Sequence, residues 1–126
     1  MSNCRCILII DDEEDVREIA QLGLEMQAGW QVLTASSGAE GLAMAEMHQP
    51  DAILLDVMMP EMDGRATFQR LQANPQTQHI PVILVTAKIQ ASDQEIFADL
   101  NVTAIFAKPF RPLELASQIS QTLGWS

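Results

Sequence analysis

The chain has 126 residues, 48% of them hydrophobic and 19% charged, the size of one ordinary domain with a single core. Seventeen acidic residues against seven basic leave a net charge of −10. That balance disfavours a nucleic-acid surface, which needs a basic stripe, and disfavours docking on anionic lipid. No apolar run approaches the roughly 20 residues that cross a bilayer. The opening Met1-Ser2-Asn3-Cys4-Arg5-Cys6 lacks the layout of a signal peptide, so a cytoplasmic protein is expected, and residues 1–126 read as one domain.

Cys6-Ile7-Leu8-Ile9-Ile10 is a short β-branched run and predicts a strand. Cys4 and Cys6, two residues apart, share a strand face and have no partners at zinc-binding spacing; they read as small buried or half-buried thiols. The acids Asp11 to Asp15 then open a helix, where the dipole favours negative charge. Val16, Ile19, Ala20, Gly23 and Met26 form its expected buried stripe, and Ala28-Gly29 ends it.

Trp30 to Ala35 predicts the second strand. Ser37-Gly38-Ala39-Glu40 has the form of a capping box, ahead of a helix burying Ala39, Leu42, Ala43 and Met47. After the turn Gln49-Pro50-Asp51, the run Ala52 to Leu55 reads as a strand buried on both faces and ending on Asp56. Asp63 caps a third helix through Phe68 and Leu71, stopped at Asn74-Pro75. Ile80 to Val85 is a fourth strand ending at Thr86. Ser92 to Glu95 is another capping box, before a helix carrying Ile96, Phe97 and Leu100. Thr103 to Phe106, less apolar, predicts an edge strand ending at Ala107-Lys108-Pro109. A last helix from Pro112 to Leu123 buries Leu115, Ala116, Ile119 and Leu123. His48 and His79 stand alone and read as surface residues.

Strand and helix alternate five times, and the strands are continuous apolar runs. Such strands form a parallel sheet covered on both faces, and right-handed crossovers make it an open doubly wound α/β fold. Ligands of such sheets bind beyond the carboxyl ends of the strands. Asp11 and Asp12, Asp56, Thr86 and Lys108 all fall there. Three carboxylates alone would repel one another. A hard divalent cation relieves that, and magnesium commonly takes one or two carboxylates plus a phosphate. Lys108 suits one phosphoryl oxygen and the Thr86 hydroxyl another. The pattern is that of a phosphoryl group beside a metal.

With these residues in order, the chain resembles the receiver domain of two-component response regulators over essentially its whole length. The resemblance is carried by Asp11-Asp12 after the first strand, by Asp56-Val57-Met58-Met59-Pro60-Glu61-Met62-Asp63-Gly64, by Thr86-Ala87 and by Lys108-Pro109-Phe110. It implies a flavodoxin-like five-stranded parallel sheet in the order 2-1-3-4-5, flanked by five helices. It implies that Asp56 is the phosphoacceptor, served by a histidine kinase or a histidine phosphotransfer protein. Mg2+ would be held by Asp11, Asp12, Asp56 and the main-chain carbonyl of Met58. Thr86, Lys108 and the main chain of Ala87 would stabilise the phosphoryl group. Thr86 and Ile105 occupy the switch positions. Pro60, Asp63, Gly64 and Pro109 shape loops, with Lys108-Pro109 expected as a cis peptide. The output would be the surface of the fourth helix, fifth strand and fifth helix, read by an effector protein or a second copy of the chain.

Departures from the family pattern matter as well. Many receivers carry Tyr or Phe where this chain has Ile105. Phe106, one place later, points to the other face of the strand, which predicts a weak or differently wired switch. Met58, two residues after Asp56, orients a water poorly and implies a long-lived phosphoryl group. Lys88, two after Thr86, adds electrostatic contact or is plain solvated surface. Met58, Met59 and Met62 either receive a histidine-bearing helix or pack on the neighbouring helix, while Met26, Met44 and Met47 read as core filling.

Three rival readings fare worse. An Asp-dependent phosphatase needs a second carboxylate at the place of Met58. A flavin or dinucleotide binder needs a Gly-rich phosphate loop that is missing here. A degenerate receiver, acting as a phosphorylation-independent interaction module, is at odds with the intact acids, Thr86 and Lys108. The reading is a signalling module rather than an enzyme, without nucleic acid or membrane as partners. No output domain follows Leu123, so a free-standing regulator or phosphorelay intermediate is expected, with a receiver excised from a larger protein as the alternative.

Overall fold

A computed structural model describes residues 5–57, 59, 63–86, 102–108 and 110–125. Five strands, β1 (Cys6–Ile10), β2 (Gln31–Ala35), β3 (Ala52–Asp56), β4 (Val82–Thr86) and β5 (Ala104–Ala107), form one sheet in the order β2-β1-β3-β4-β5. Every neighbouring pair is parallel. Four helices are described: α1 (Glu14–Ala28), α2 (Gly38–His48), α3 (Gly64–Ala73) and α4 (Pro112–Leu123). The helix expected from Ser92 to Leu100 lies outside the described residues.

Strand alternation sorts the core into two layers. Leu8, Ile10, Ile53, Leu55, Val82 and Leu84 face α2 and α3, meeting Ala45, Phe68 and Leu71. Ile7, Ile9, Leu54, Ile83 and Val85 face α1 and α4, meeting Ala20, Leu24, Leu115 and Ile119. β1, β3 and β4 are buried on both faces, as continuous apolar runs require. β5, half-buried from Ala104 to Phe106 and exposed at Ala107, is an edge strand. The end of α4 returns to the start of the sheet, where Trp125 meets Trp30 edge to face at 5.4 Å and Arg5 lies 4.4 Å over the Trp125 ring.

The helix ends follow their local chemistry. Ser37 Oγ accepts the Glu40 N–H at 3.1 Å, while the Glu40 carboxylate accepts from Ser36 rather than closing the box on Ser37. Asp63 accepts the Ala66 N–H at 2.9 Å and caps α3. α1 starts at Glu14, so Asp11 and Asp12 stand in the turn ahead of it.

The buried faces of the first two helices agree with expectation at Ala20 and Gly23 and depart from it elsewhere. α1 buries Ala20, Gly23 and Leu24, whereas Ile19 and Met26 are 48% and 66% exposed. α2 buries Gly38, Gly41 and Ala45, whereas Ala39 and Ala43 are exposed and Met47 is 76% exposed. Of the three methionines read as core filling, only Met44 packs on the core. The cause is close approach. A Cβ on Gly23 would sit 2.3 Å from the Pro112 oxygen, and one on Gly41 would sit 2.4 Å from Ile10 Cδ1. The main chain of Pro112 and the side chain of Ile10 already fill these places, so each helix must present its smallest residues there. Cys6 is half-buried; Cys4 lies outside the described residues. His48 and His79 are exposed.

Candidate functional site

Each strand delivers its last residues to the same edge because all five run the same way. Asp11 follows β1, Asp56 ends β3, Thr86 ends β4 and Lys108 follows β5. Register fixes how they meet. Asp56 pairs with Val85, and Thr86 pairs with Ala107. The Lys108 N–H donates to the Thr86 carbonyl at 2.8 Å, and the Val57 N–H to that of Val85 at 3.1 Å. Asp11, Asp56 and Thr86 are no more than 5% exposed, while Asp12 is open to solvent.

Lys108 joins the carboxylates. Its Nζ donates to Asp11 Oδ2 at 2.9 Å and to Asp56 Oδ1 at 3.2 Å. Burial by itself lowers the pKa of this ammonium. The hydrogen bond and charge of Asp11, then the charge and hydrogen bond of Asp56, outweigh burial and hold it above the ordinary lysine value. Oxygens of Asp11, Asp12 and Asp56 lie within 4.8 Å of one another. Ile9, Leu54, Val85 and Phe110 floor the cluster, so the field of these charges is weakly screened from below.

The donor set suits a hard divalent cation: three carboxylates and no softer ligand, with two of the acids buried and presented by rigid strand ends. One ammonium leaves the three acids with excess negative charge, which a cation would offset. The residues therefore fit Mg2+, with Asp11, Asp12 and Asp56 as the side chains that would hold it.

The remaining predicted residues divide clearly. Gly64 abuts the site from outside: a Cβ there would lie 2.5 Å from the Asp56 carbonyl oxygen, and its N–H donates to the Val57 carbonyl at 3.0 Å. Asp63 stands beside it as the α3 cap. Ile105 packs on the α2/α3 layer and Phe106 on the α1/α4 layer, so the one-residue offset does place them on opposite faces. Thr86 shares the face of Ile105 by alternation along β4. Met59 is buried among the α2/α3 layer, which removes it from any exposed docking patch. Met58, Pro60, Met62, Ala87, Lys88 and Pro109 lie outside the described residues. Arg17 was not among the expected site residues, yet its Nη1 donates to the Asp11 carbonyl at 2.7 Å. In the sequence it is one more charge on an exposed-looking helix turn, and nothing local marks its target.

Fold and site together define a doubly wound α/β domain whose acids, hydroxyl and ammonium converge on the carboxyl edge of the sheet. The response regulator receiver domain family matches residues 7–120, and the chain belongs to that family. It is 37% identical over 117 residues to the alkaline phosphatase synthesis transcriptional regulatory protein PhoP of Bacillus subtilis, covering 93% of this chain and 48% of that protein. To the DNA-binding dual master transcriptional regulator RpaA of a Synechocystis strain it is 38% identical, with the same coverage. The chain thus spans about half the length of these curated relatives. Among solved structures, chemotaxis protein CheY4 of Vibrio cholerae superposes with a TM-score of 0.87 at 27% identity, covering 94% of this chain and 98% of that one. No helix among the described residues is long and apolar enough to cross a membrane.

Proposed function

We propose that this chain is a phosphoacceptor receiver in a two-component relay, with Asp56 as the site of phosphorylation. The observation that carries the reading is the junction of Lys108 with two buried carboxylates from separate strands, Asp11 and Asp56. A carboxylate oxygen of Asp56 attacks the phosphorus of a phosphohistidine on a kinase or phosphotransfer protein. The P–N bond breaks, the imidazole leaves with its electron pair, and Asp56 carries an acyl phosphate. Lys108 then faces a phosphoryl oxygen in place of the carboxylate, offsetting negative charge in a site screened by little solvent. Bound Mg2+ supplies a second centre of positive charge for the phosphoryl oxygens. The Thr86 hydroxyl donates to the attached group. The chain is a signalling module that serves its own modification rather than an enzyme that turns over a substrate.

The output is a change at the surface of β5 and α4 and the segment before β5. Moving such a surface from about 1:99 to 99:1 takes about 5.5 kcal/mol of preference for one state. Charge-assisted hydrogen bonds to the phosphoryl group supply part of it. Acidic balance argues against nucleic acid as a partner of this chain itself. The DNA-related names of the relatives belong to proteins about twice as long.

Incubation with acetyl phosphate and Mg2+ followed by intact-mass measurement tests the reading. A single phosphoryl adduct is expected on the wild type and none on Asp56→Asn. An unmodified wild type, or an undiminished adduct on the variant, overturns it.

A further inference from the structure

Five of the six residues around Arg17 between positions 12 and 18 are acidic. Among the described residues its guanidinium nonetheless makes no ion pair. Half-buried, it donates instead to the main-chain oxygen of Asp11, at 2.7 Å. A charge-assisted bond of that length, formed in preference to nearby carboxylates, singles out that carbonyl.

The other polar atoms of Asp11 are also held. Its N–H donates to Ala35 at 3.1 Å, Oδ1 accepts the Glu13 N–H at 2.9 Å, and Oδ2 accepts from Lys108. Arg17 thus completes the restraint of the peptide joining Asp11 to Asp12. Asp12 has no such anchors: its side chain is exposed and takes no hydrogen bond from the described residues. Where its carboxylate stands relative to Asp11 and Asp56 is therefore set by the main chain, and that main chain is clamped by Arg17 from the first turn of α1.

We infer that Arg17 is a positioning residue for the acidic trio, acting through the Asp11–Asp12 peptide to hold Asp12 where a divalent cation can use it. This rests on the trio being a Mg2+ site. The inference makes a prediction of sign. By charge alone, Arg17 repels a cation nearby, and removing it tightens Mg2+ binding. By positioning, removing it weakens binding, roughly tenfold to a hundredfold as for other groups that orient metal ligands.

Calorimetric titration of the whole chain with Mg2+, on the wild type, Arg17→Met and Arg17→Lys, separates the two. Arg17→Met keeps the apolar stem and removes the donors, and is expected to bind about tenfold more weakly. Arg17→Lys, with one point donor instead of a planar fork, is expected to fall between. Equal or tighter binding by Arg17→Met overturns the positioning role and leaves the metal reading intact. Absence of Mg2+ binding by the wild type overturns both. Thermal melts in EDTA check the fold. If Arg17→Met does not melt cooperatively, Arg17→Lys is read in its place, with weaker binding supporting the role and wild-type binding overturning it.

Discussion

Lys108 and Asp56, separated by 52 positions in the chain, meet at 3.2 Å across the ends of two strands that are not neighbours in the sheet. β4 lies between them, so the side chain reaches over it to both Asp56 and Asp11. Removing one partner of such a junction leaves buried negative charge without compensation, which typically costs about 3 kcal/mol or more. Lys108→Met is expected to lose about that much stability in EDTA, read from urea unfolding. Saturating Mg2+ should return much of it, since a ligand at 100 times its Kd adds about 2.7 kcal/mol. A variant as stable as the wild type in EDTA would show that the acids are relieved by another group.

The same junction sets an alkaline limit. The Lys108 pKa is raised in the folded chain, so its contribution is complete below the ordinary lysine value and is lost as pH climbs through the folded one. Wild-type stability should therefore fall above about pH 10, and Lys108→Met should lack that part of the fall. The sequence contains no tyrosine, so no phenol titrates across the same window. Parallel alkaline slopes for the two proteins would contradict the assignment.

Gly64 is required by backbone, not by a turn. A Cβ would stand 2.5 Å from the Asp56 oxygen and 2.7 Å from Val57 Cα, neither of which can rotate away. Gly64→Ala is expected to cost about 1–3 kcal/mol by overpacking, measured by denaturant midpoint. It should also slow acquisition of the phosphoryl group from acetyl phosphate, because relief of the clash moves the main chain that carries Asp56. Unchanged stability and unchanged rate together would mean that α3 shifts freely.

The side chain of β5 on the face of Thr86 is Ile105, not an aromatic ring, and the proposed coupling to the output surface is therefore expected to run through packing at Ile105. Ile105 shares the sheet face of Thr86, whereas Phe106 packs among Ala104, Phe110 and the α1/α4 layer. With a phosphoryl analogue such as beryllofluoride bound, chemical-shift changes should concentrate at Thr86 and Lys108 and stay small at Phe106. Large changes along the whole β5 surface would contradict a weakly wired switch.

Period and punctuation in the sequence determined the five strands, the parallel class and the identity of the residues at the strand ends. Continuous β-branched runs can be satisfied only by burial on both faces, and each run stopped at a polar group. Which large side chains of α1 and α2 turn outward was decided by tertiary structure. Hydropathy counts Ile19, Met26 and Met47 as core and passes over Gly41, but those three are exposed, and the room beside Pro112 and Ile10 admits only Gly23 and Gly41. The strand-end residues gave their chemistry in one dimension; their distances came from register across β1, β3, β4 and β5. The clamp of Arg17 on Asp11 was invisible for the same reason. A guanidinium can reach many oxygens, and only the placement of α1 against the end of β1 selects one.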